Sequence, residues 1–288
     1  PSLLFHFDPQ SSDPMMTVAA YATVEITHKT KEVVVPHCFS DPVFFAKLMT
    51  TRGNDPVVVE GSFKGCNENN ESKFDLKLNE FEYLDGYHTN ELVALLAAEK
   101  GRYQLEDNSE LTIETFEAKQ NKWISFPQTM SSQIESQEIY LAQVQSSLLS
   151  HARVVRMRTK DGVKQFKLQA EEELTKNKVS SNSDISLLRL VKSNQLIFRS
   201  KVFDVNHSWF NLELPAENIY NSTFLVDLVS YAGGDTAYAS AHRVNGTTLK
   251  FMAKEEQSKD KEIDHAIEQV NLIYLLGKKG VLKGKKIP

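Results

Sequence analysis

The chain has few residues that carry covalent cross-links, and it has no apolar run long enough to span a membrane. Only two of its 288 residues are cysteines, Cys38 and Cys66, which excludes a small disulfide-dense domain. We expect both to be free, buried thiols in a reducing compartment, with a single disulfide as the alternative. The densest apolar stretch, at 92–98, has seven residues, far fewer than the roughly 20 that cross a bilayer as a helix.

Motifs that would identify an enzyme or a cofactor protein are also missing. The chain contains no phosphate-binding glycine fingerprint and no G-x-S-x-G nucleophile motif. Its eight histidines show neither H-E-x-x-H nor zinc-finger spacing. His37 and Cys38 are adjacent, so on a strand their side chains would point to opposite faces and could not form a base–nucleophile pair. We therefore predict no catalytic, cofactor-binding or metal-binding residues, and lean against an enzyme.

Charge is unevenly distributed along the chain. The net charge is −5 while the last twelve residues carry +5, which leaves −10 on the rest of the protein. A body this acidic repels phosphate backbones, so nucleic acid is at most a minor, local partner. We predict contacts with other protein subunits, or with a polyanion, at two basic segments. These are a hairpin with Arg153, Arg156, Arg158, Lys160, Lys164 and Lys167, and a tail with Lys283, Lys285 and Lys286.

Strand signals dominate what is present. Phe74, Leu76 and Leu78 alternate with polar residues, which is typical of a half-buried strand. Turn signals at 160–162 and at Asn245-Gly246 join neighbouring strand segments as hairpins. Because many consecutive strands are joined by short turns, we predict a mainly β, antiparallel protein. A β-sandwich of jelly-roll-like or Greek-key type is favoured, and a two-domain α+β protein is the alternative.

Four helices are predicted among these strands, three in connections and one near the C-terminus. Their ranges are 41–53, 89–101, about 132–150 and about 255–276. Capping residues such as Asp41 and Thr89 precede the first two, and Gly277 follows the last as a C-cap. The first two helices are followed by similar glycine-to-strand segments with a period of about 50 residues. Both of these helices are short and lie between strands, an element order analogous to that of viral coat jelly rolls, which carry short helices in comparable connections. The chain contains no coat-protein motif.

The predicted organisation has four segments within one or two domains. They are a β-rich region with two short helices at 1–128, a connecting amphipathic helix at 129–151, an antiparallel β region at 152–254, and a C-terminal helix with a basic tail at 255–288. The charged, Ser- and Asn-rich stretch at 170–184 is the best candidate for a linker.

Three functional interpretations follow from these features. The first is a non-enzymatic structural or assembly protein, a β-sandwich subunit of a homo- or hetero-oligomer with a coat- or shell-like role. The second is a carbohydrate- or receptor-binding β module, with Trp123, Trp209 and Phe210 as a sugar platform. The third is an enzyme whose site is assembled from distant residues. We expect a soluble protein of a reducing compartment or a virion rather than a secreted one, and no membrane span.

Overall fold

The computed structural model describes residues 14–127, 130, 138–145, 152–170, 182–191, 199–214, 221–259 and 264–288. Across these ranges the chain forms twenty strands and no α-helix. Every pair of neighbouring strands in the sheets is antiparallel (one isolated bridge outside the strands is parallel). The prediction of a mainly β, antiparallel protein is therefore confirmed.

Eighteen of the twenty strands form three successive sets of six. The first set is β1 (Met16–Ile26), β2 (Lys31–Val35), β3 (Val43–Leu48), β4 (Val57–Cys66), β5 (Ser72–Glu80) and β6 (Glu91–Ala98). After β7 (Gly101–Leu105), the second set is β8 (Glu110–Lys119), β9 (Ile124–Ser125), β10 (Glu138–Val144), β11 (Arg153–Lys160), β12 (Val163–Ala170) and β13 (Asn182–Val191). The third set is β14 (Arg199–Val205), β15 (Phe210–Glu213), β16 (Ser222–Leu228), β17 (Ala237–Arg243), β18 (Thr248–Glu255) and β19 (Glu268–Leu276), and β20 (Lys279–Lys286) ends the chain.

All three sets pair in the same way, and we call them repeats 1, 2 and 3. In each set, the first and third strands flank the sixth, while the second and fourth strands flank the fifth. Two strands lie outside this scheme. β20 lies between β1 and β7, and β7 pairs with β8. The two additional strands thus join the sheets of repeats 1 and 2 into one eight-stranded sheet.

The four predicted helices are wrong, because the described parts of all four ranges contain strands. The first contains β3, the second β6, the third β10 and the last β19. Nearly every residue of these four strands is buried. A strand buried on both faces reads as a continuous apolar run, which also contains spacings of three and four. The analogy with coat jelly rolls relied on the first two helices and is lost with them.

The internal repeat also differs from the sequence pattern. The similarity with a period of about 50 residues compares β3 with β6, which hold different places in one repeat. The predicted boundaries at 128–129 and 151–152 fall inside repeat 2. The predicted linker at 170–184 lies mostly outside the described residues, and its end already belongs to β13.

Both hairpin predictions are confirmed. β11 pairs with β12 across Asp161 and Gly162, whose φ angles of 51° and 75° suit a two-residue hairpin turn. β17 pairs with β18 across the loop that contains Asn245. The Asn245 side chain accepts hydrogen bonds from the backbone N–H of Thr247 and Thr248, both at 2.8 Å.

The prediction of free thiols is wrong, because Cys38 and Cys66 form a disulfide. It ties the segment between β2 and β3 to the end of β4. A disulfide of this kind is typical of proteins that mature in an oxidising environment, so the cysteines no longer favour a reducing compartment. As for a membrane, none of the described residues belongs to a helix long and apolar enough to span one.

The repeats surround a common axis, and two cavities lie along it. One cavity of about 60 Å³ is lined by the third and fourth strands of every repeat. The other, of about 10 Å³, is lined only by leucine and isoleucine side chains from all three repeats and from β7 and β20. Outside this shared centre, repeats 1 and 2 each have their own apolar cluster between sheets. The chain is therefore built as a quasi-trimer.

Three equivalent positions meet at the axis with different chemistry. These positions are Lys47, Gln143 and Asp227. Each lies two residues before the residue whose backbone N–H, just after the third strand, donates to the sixth strand of the same repeat. The Lys47 ammonium is 2.8 Å from the Asp227 carboxylate and donates to the Ala142 carbonyl at 2.6 Å. Burial raises the pKa of Asp227, and the Lys47 charge opposes that rise. A largely buried ion pair thus lies at the axis and links all three repeats.

Candidate functional site at the repeat junctions

Among the described residues, the fourth strand of one repeat contacts the loop after the third strand of the next at two repeat junctions, between repeats 2 and 3 and between repeats 3 and 1. At the junction of repeats 2 and 3, Arg156 of β11 is fully buried. Its guanidinium donates to the Glu268 carboxylate at 2.5 Å and to the Asp235 carbonyl at 2.8 Å. Burial lowers the pKa of Arg156, whereas the Glu268 charge raises it. A buried charge of this kind is retained only because it is paired and hydrogen-bonded.

Glu268 belongs to a buried cluster that we call the repeat 3 latch: Glu255, His265 and Glu268. One ring nitrogen of His265 contacts Glu255, and the other lies 3.0 Å from Glu268. Burial alone would lower the pKa of His265, but its two carboxylate partners raise it above the ordinary value. Burial opposes ionisation of Glu268 too, yet His265 and Arg156 hold its pKa at about 2. The contacts of His265 and Glu268 therefore favour the charged forms of these two side chains inside the protein.

Repeat 1 has the same arrangement, the repeat 1 latch: Glu80, His88 and Glu91. The His88 ring nitrogens lie 2.9 Å from Glu80 and 3.4 Å from Glu91. Burial lowers the pKa of His88, but the two carboxylates outweigh it, so the pKa is raised. In both latches the second glutamate also accepts hydrogen bonds from a Ser or Thr hydroxyl and from backbone N–H groups of the loop after the third strand of the same repeat. These donors are Thr50, Arg52 and Gly53 for Glu91, and Ser230, Ala232 and Gly233 for Glu268.

Each latch histidine packs against a glycine that has no room for a side chain. A Cβ on Gly53 would lie 2.5 Å from the His88 ring, and one on Gly233 would lie 2.8 Å from the His265 ring. In repeat 2, Ser183 stands where the other repeats have Glu91 and Glu268. Its hydroxyl accepts a 2.6 Å hydrogen bond from Arg153. Repeat 2 thus keeps the strand topology with a different polar contact.

Cations and aromatic rings alternate beside the repeat 3 latch, in a group that we call the cation–aromatic stack. Its members are Trp123, Arg156, Arg158, Lys167 and Tyr231. The Arg158 guanidinium lies 3.8 Å from the Trp123 ring centre, and the Lys167 ammonium lies 4.1 Å from that of Tyr231. Lys167 also donates to the Tyr231 hydroxyl at 2.8 Å. Burial, with added repulsion from the two arginines, lowers the pKa of Lys167 to about 8.

The structure brings only some of the predicted cations together. Arg156, Arg158 and Lys167 share the stack, whereas Arg153 is buried beside Ser183. Lys164 lies 4.7 Å from the Tyr140 ring centre, and burial lowers its pKa. Lys160, at the hairpin turn, is exposed. The hairpin therefore contributes most of its cations to contacts within the protein.

The C-terminal lysines lie elsewhere, on β20. This segment is a strand between β1 and β7 rather than a free tail. Lys283 and Lys286 are exposed, and Lys285 is half-buried. The predicted helix cap at Gly277 is wrong: with a φ angle of 89°, this residue instead forms the turn between β19 and β20.

Sequence reasoning missed both latches. Their signal is present, because H-x-x-E recurs at 88–91 and 265–268, and a Ser or Thr precedes a glycine by three residues at 50–53 and 230–233. It becomes visible only when repeats 1 and 3 are aligned, and the mistaken helices obscured that alignment. Within the described ranges, no group of three or more His, Cys, Asp or Glu side chains is arranged to hold a metal ion.

Comparisons of the chain with known protein families, with curated proteins and with solved structures gave no match.

Proposed function

We propose that the protein is a non-enzymatic structural subunit that assembles with further copies of itself or with partner proteins. In this proposal each repeat is a six-stranded, jelly-roll-like β-sandwich, and the three sandwiches form a preassembled quasi-trimer. The observation that carries it is the threefold recurrence of one strand topology around a shared axis, with one axial cavity lined by leucine and isoleucine from all three repeats. Closed, near-symmetric units of this kind present similar surfaces in several directions, which suits coat- or shell-like packing.

The use of polar residues supports a structural role. Arg156, His88 and His265 are buried and occupied by partners within the chain. The two axial cavities, of about 60 and 10 Å³, are much smaller than the roughly 300–1,000 Å³ of typical small-molecule sites. These groups therefore contribute to the rigidity of the quasi-trimer and to its internal junctions.

Exposed cations supply a candidate contact with neighbours. Lys283 and Lys286 protrude from β20, and Lys160 protrudes from the hairpin turn. The rest of the protein is acidic, so these lysines complement the surface of a second copy or of an acidic partner. Nucleic acid remains a minor alternative partner, because three separated lysines neutralise few phosphates.

The proposal is tested by native mass. Light scattering coupled to size-exclusion chromatography, over a wide range of protein concentration, is expected to show species larger than one chain that dissociate as salt is raised. The double variant Lys283→Glu/Lys286→Glu is expected to shift the distribution toward the single chain. The control Lys29→Glu/Lys122→Glu changes the net charge equally at exposed positions elsewhere. A single chain at every concentration, with no partner in native complexes, would overturn the proposal.

A further inference from the structure

The two tryptophans of the chain occupy equivalent places in repeats 2 and 3. Ile124 pairs with Phe166 in repeat 2, and Phe210 pairs with Phe251 in repeat 3, at the same step of the second and fifth strands. Trp123 and Trp209 immediately precede these residues. Each tryptophan therefore lies at the junction between its own repeat and the next one around the axis.

The two junctions differ in how they cover the tryptophan. Trp123 is covered by Arg158 at 3.8 Å, by Lys167 at 5.0 Å and by the nearly perpendicular ring of Tyr231 at 5.1 Å. At the junction of repeats 3 and 1, the strand register places His242 at the position of Arg158. Thr51 takes the place of Tyr231. Each lies two residues after the residue whose backbone N–H donates to the sixth strand of its repeat.

Smaller side chains at the second junction leave its tryptophan accessible. The His242 ring centre is 6.4 Å from that of Trp209, farther away than any of the three groups around Trp123. Trp209 is 38% exposed, and Phe210 beside it is also 38% exposed. At the second junction the small Thr51 stands where Tyr231 covers Trp123, and we call the partly exposed surface around the Trp209 indole the notch.

Polar groups around the notch are arranged as donors. The Nδ1 atom of His242 accepts a hydrogen bond from the Thr51 backbone N–H at 3.4 Å, so the proton of the neutral ring is on Nε2. Burial and the charge of Lys250 lower the pKa of His242, which favours this neutral form. The Lys250 ammonium lies 4.4 Å from the Trp209 ring centre. Within the described part of the chain, no carboxylate forms a salt bridge with Lys250.

We propose that this notch binds a saccharide that carries a carboxylate. The apolar face of the sugar ring would stack on the Trp209 indole, its carboxylate would pair with Lys250, and a hydroxyl would accept from His242 Nε2. The sugar ring and Lys250 would then cover Trp209 much as an aromatic ring and a cation of the protein cover Trp123 at the other junction. An aromatic platform with a few fixed donors is the usual way in which a shallow site gains both contact area and orientation.

A single-stranded nucleic acid is a weaker candidate for the same platform. Bases also stack on tryptophan, but such sites need a groove of several cations that follows the phosphates. Here Lys250 is the cation on the ring, while the nearby Arg52 is already paired with Glu25 at 2.6 Å. One free positive charge matches one carboxylate. The acidic body disfavours a polyphosphate.

The presence of only two tryptophans gives a direct test. In a ¹H–¹⁵N NMR spectrum the two indole signals are assigned with Trp123→Phe and Trp209→Phe. Titration with 3′-sialyllactose is expected to move the Trp209 signal with a Kd of about 1 mM, and to leave the Trp123 signal in place. Lactose, which lacks the carboxylate-bearing residue, is expected to bind at least about fivefold more weakly.

Variants separate stacking from charge pairing. Trp209→Ala is expected to abolish the binding detected by calorimetry, while the matched change Trp123→Ala retains it. Lys250→Gln is expected to remove most of the difference between 3′-sialyllactose and lactose. Retained dispersion of the backbone signals shows that each variant is folded. Overturning results are an unmoved Trp209 signal at about 20 mM sugar, equal movement of both signals, or a response to oligouridylate but not to either sugar.

Discussion

Repeats 1 and 3 hold a buried glutamate–histidine–glutamate latch, whereas repeat 2 holds a serine–arginine contact at the same place. The strand topology is nevertheless identical in all three. Apolar positions are shared more widely than polar ones, since Leu96, Leu188 and Ile273 line the same axial cavity. Packing of the strands is therefore common to all three repeats, while the buried charged groups differ from one junction to the next.

The largest effect is expected from a substitution that breaks the junction of repeats 2 and 3. Arg156→Ala leaves the Glu268 carboxylate buried without its guanidinium partner, and should lower the free energy of unfolding by about 3–5 kcal/mol. Urea denaturation followed by circular dichroism measures the change. Arg158→Ala is the control, because this guanidinium contacts Trp123 at the edge of the stack; its loss should be about 1 kcal/mol or less. Equal losses for the two variants would contradict the role assigned to the latch.

Repeat 1 differs from the other repeats by its disulfide, which closes a loop with a sequence separation of 28. Cys38→Ser/Cys66→Ser should lower the free energy of unfolding by about 3 kcal/mol, because the unfolded chain regains the entropy of that loop. The measurement is the urea midpoint with and without reductant. Reductant should destabilise the natural protein by a similar amount and leave the double variant unchanged. A natural protein insensitive to reductant would contradict this expectation.

A smaller effect is expected where the latch histidines meet their glycines. Gly233→Ala places a methyl group against the His265 ring and should destabilise the protein by about 1–3 kcal/mol. Gly53→Ala should act similarly against His88. The adjacent Gly234→Ala is a matched control, because a Cβ there meets nothing within 4 Å. Thermal unfolding of the three variants makes the comparison, and a loss at Gly234 as large as at Gly233 would count against steric contact with the latch.

The smallest expected effect is a pH dependence of stability supplied by the two latches. His88 and His265 have raised pKa values in the folded protein, so their protonation stabilises it fully below about pH 6.5. That contribution is lost as the pH rises through the folded values. On the acid side, Glu268, with its pKa at about 2, contributes stability above about pH 4.5 that is lost as the pH falls toward 2.

Replacing both histidines tests this dependence. The variant His88→Gln/His265→Gln should be less stable near pH 6 and should lose the decline of stability between about pH 6 and pH 9. Urea midpoints across that interval provide the measurement. His37→Gln is the control, since this histidine lies outside both latches. A decline of the same slope in the double variant would show that other groups cause it.

Local signals in the sequence were sufficient to predict a hairpin where the turn residues were specific. Asp161-Gly162 and Asn245-Gly246 predicted the hairpins that the structure contains. The alternation at 73–79 predicted β5, because one face of that strand is buried and the other is half-buried. The stretch at 92–98 gave no such information, since apolar residues on both faces satisfy the period of a helix as well as that of a strand.

Of the candidate site, only the cations were predicted from the sequence. Arg156, Arg158 and Lys167 lie close together in the sequence, so a basic hairpin was apparent. Their partners Glu268 and Tyr231 come from another repeat and are far away along the chain. No local pattern shows that a cation will be buried against a carboxylate more than a hundred residues away.

The β class, the antiparallel hairpins and the uneven charge of this protein could be predicted from the sequence, because they depend on neighbours along the chain. Contacts between distant strands were needed to show that its residues form strands in place of the four helices, that six strands recur three times, and that Cys38 meets Cys66. Burial explains this difference. An apolar run adopts the conformation whose hydrogen bonds and packing are completed by distant strands, and a buried charge is stable only where such a strand brings its partner.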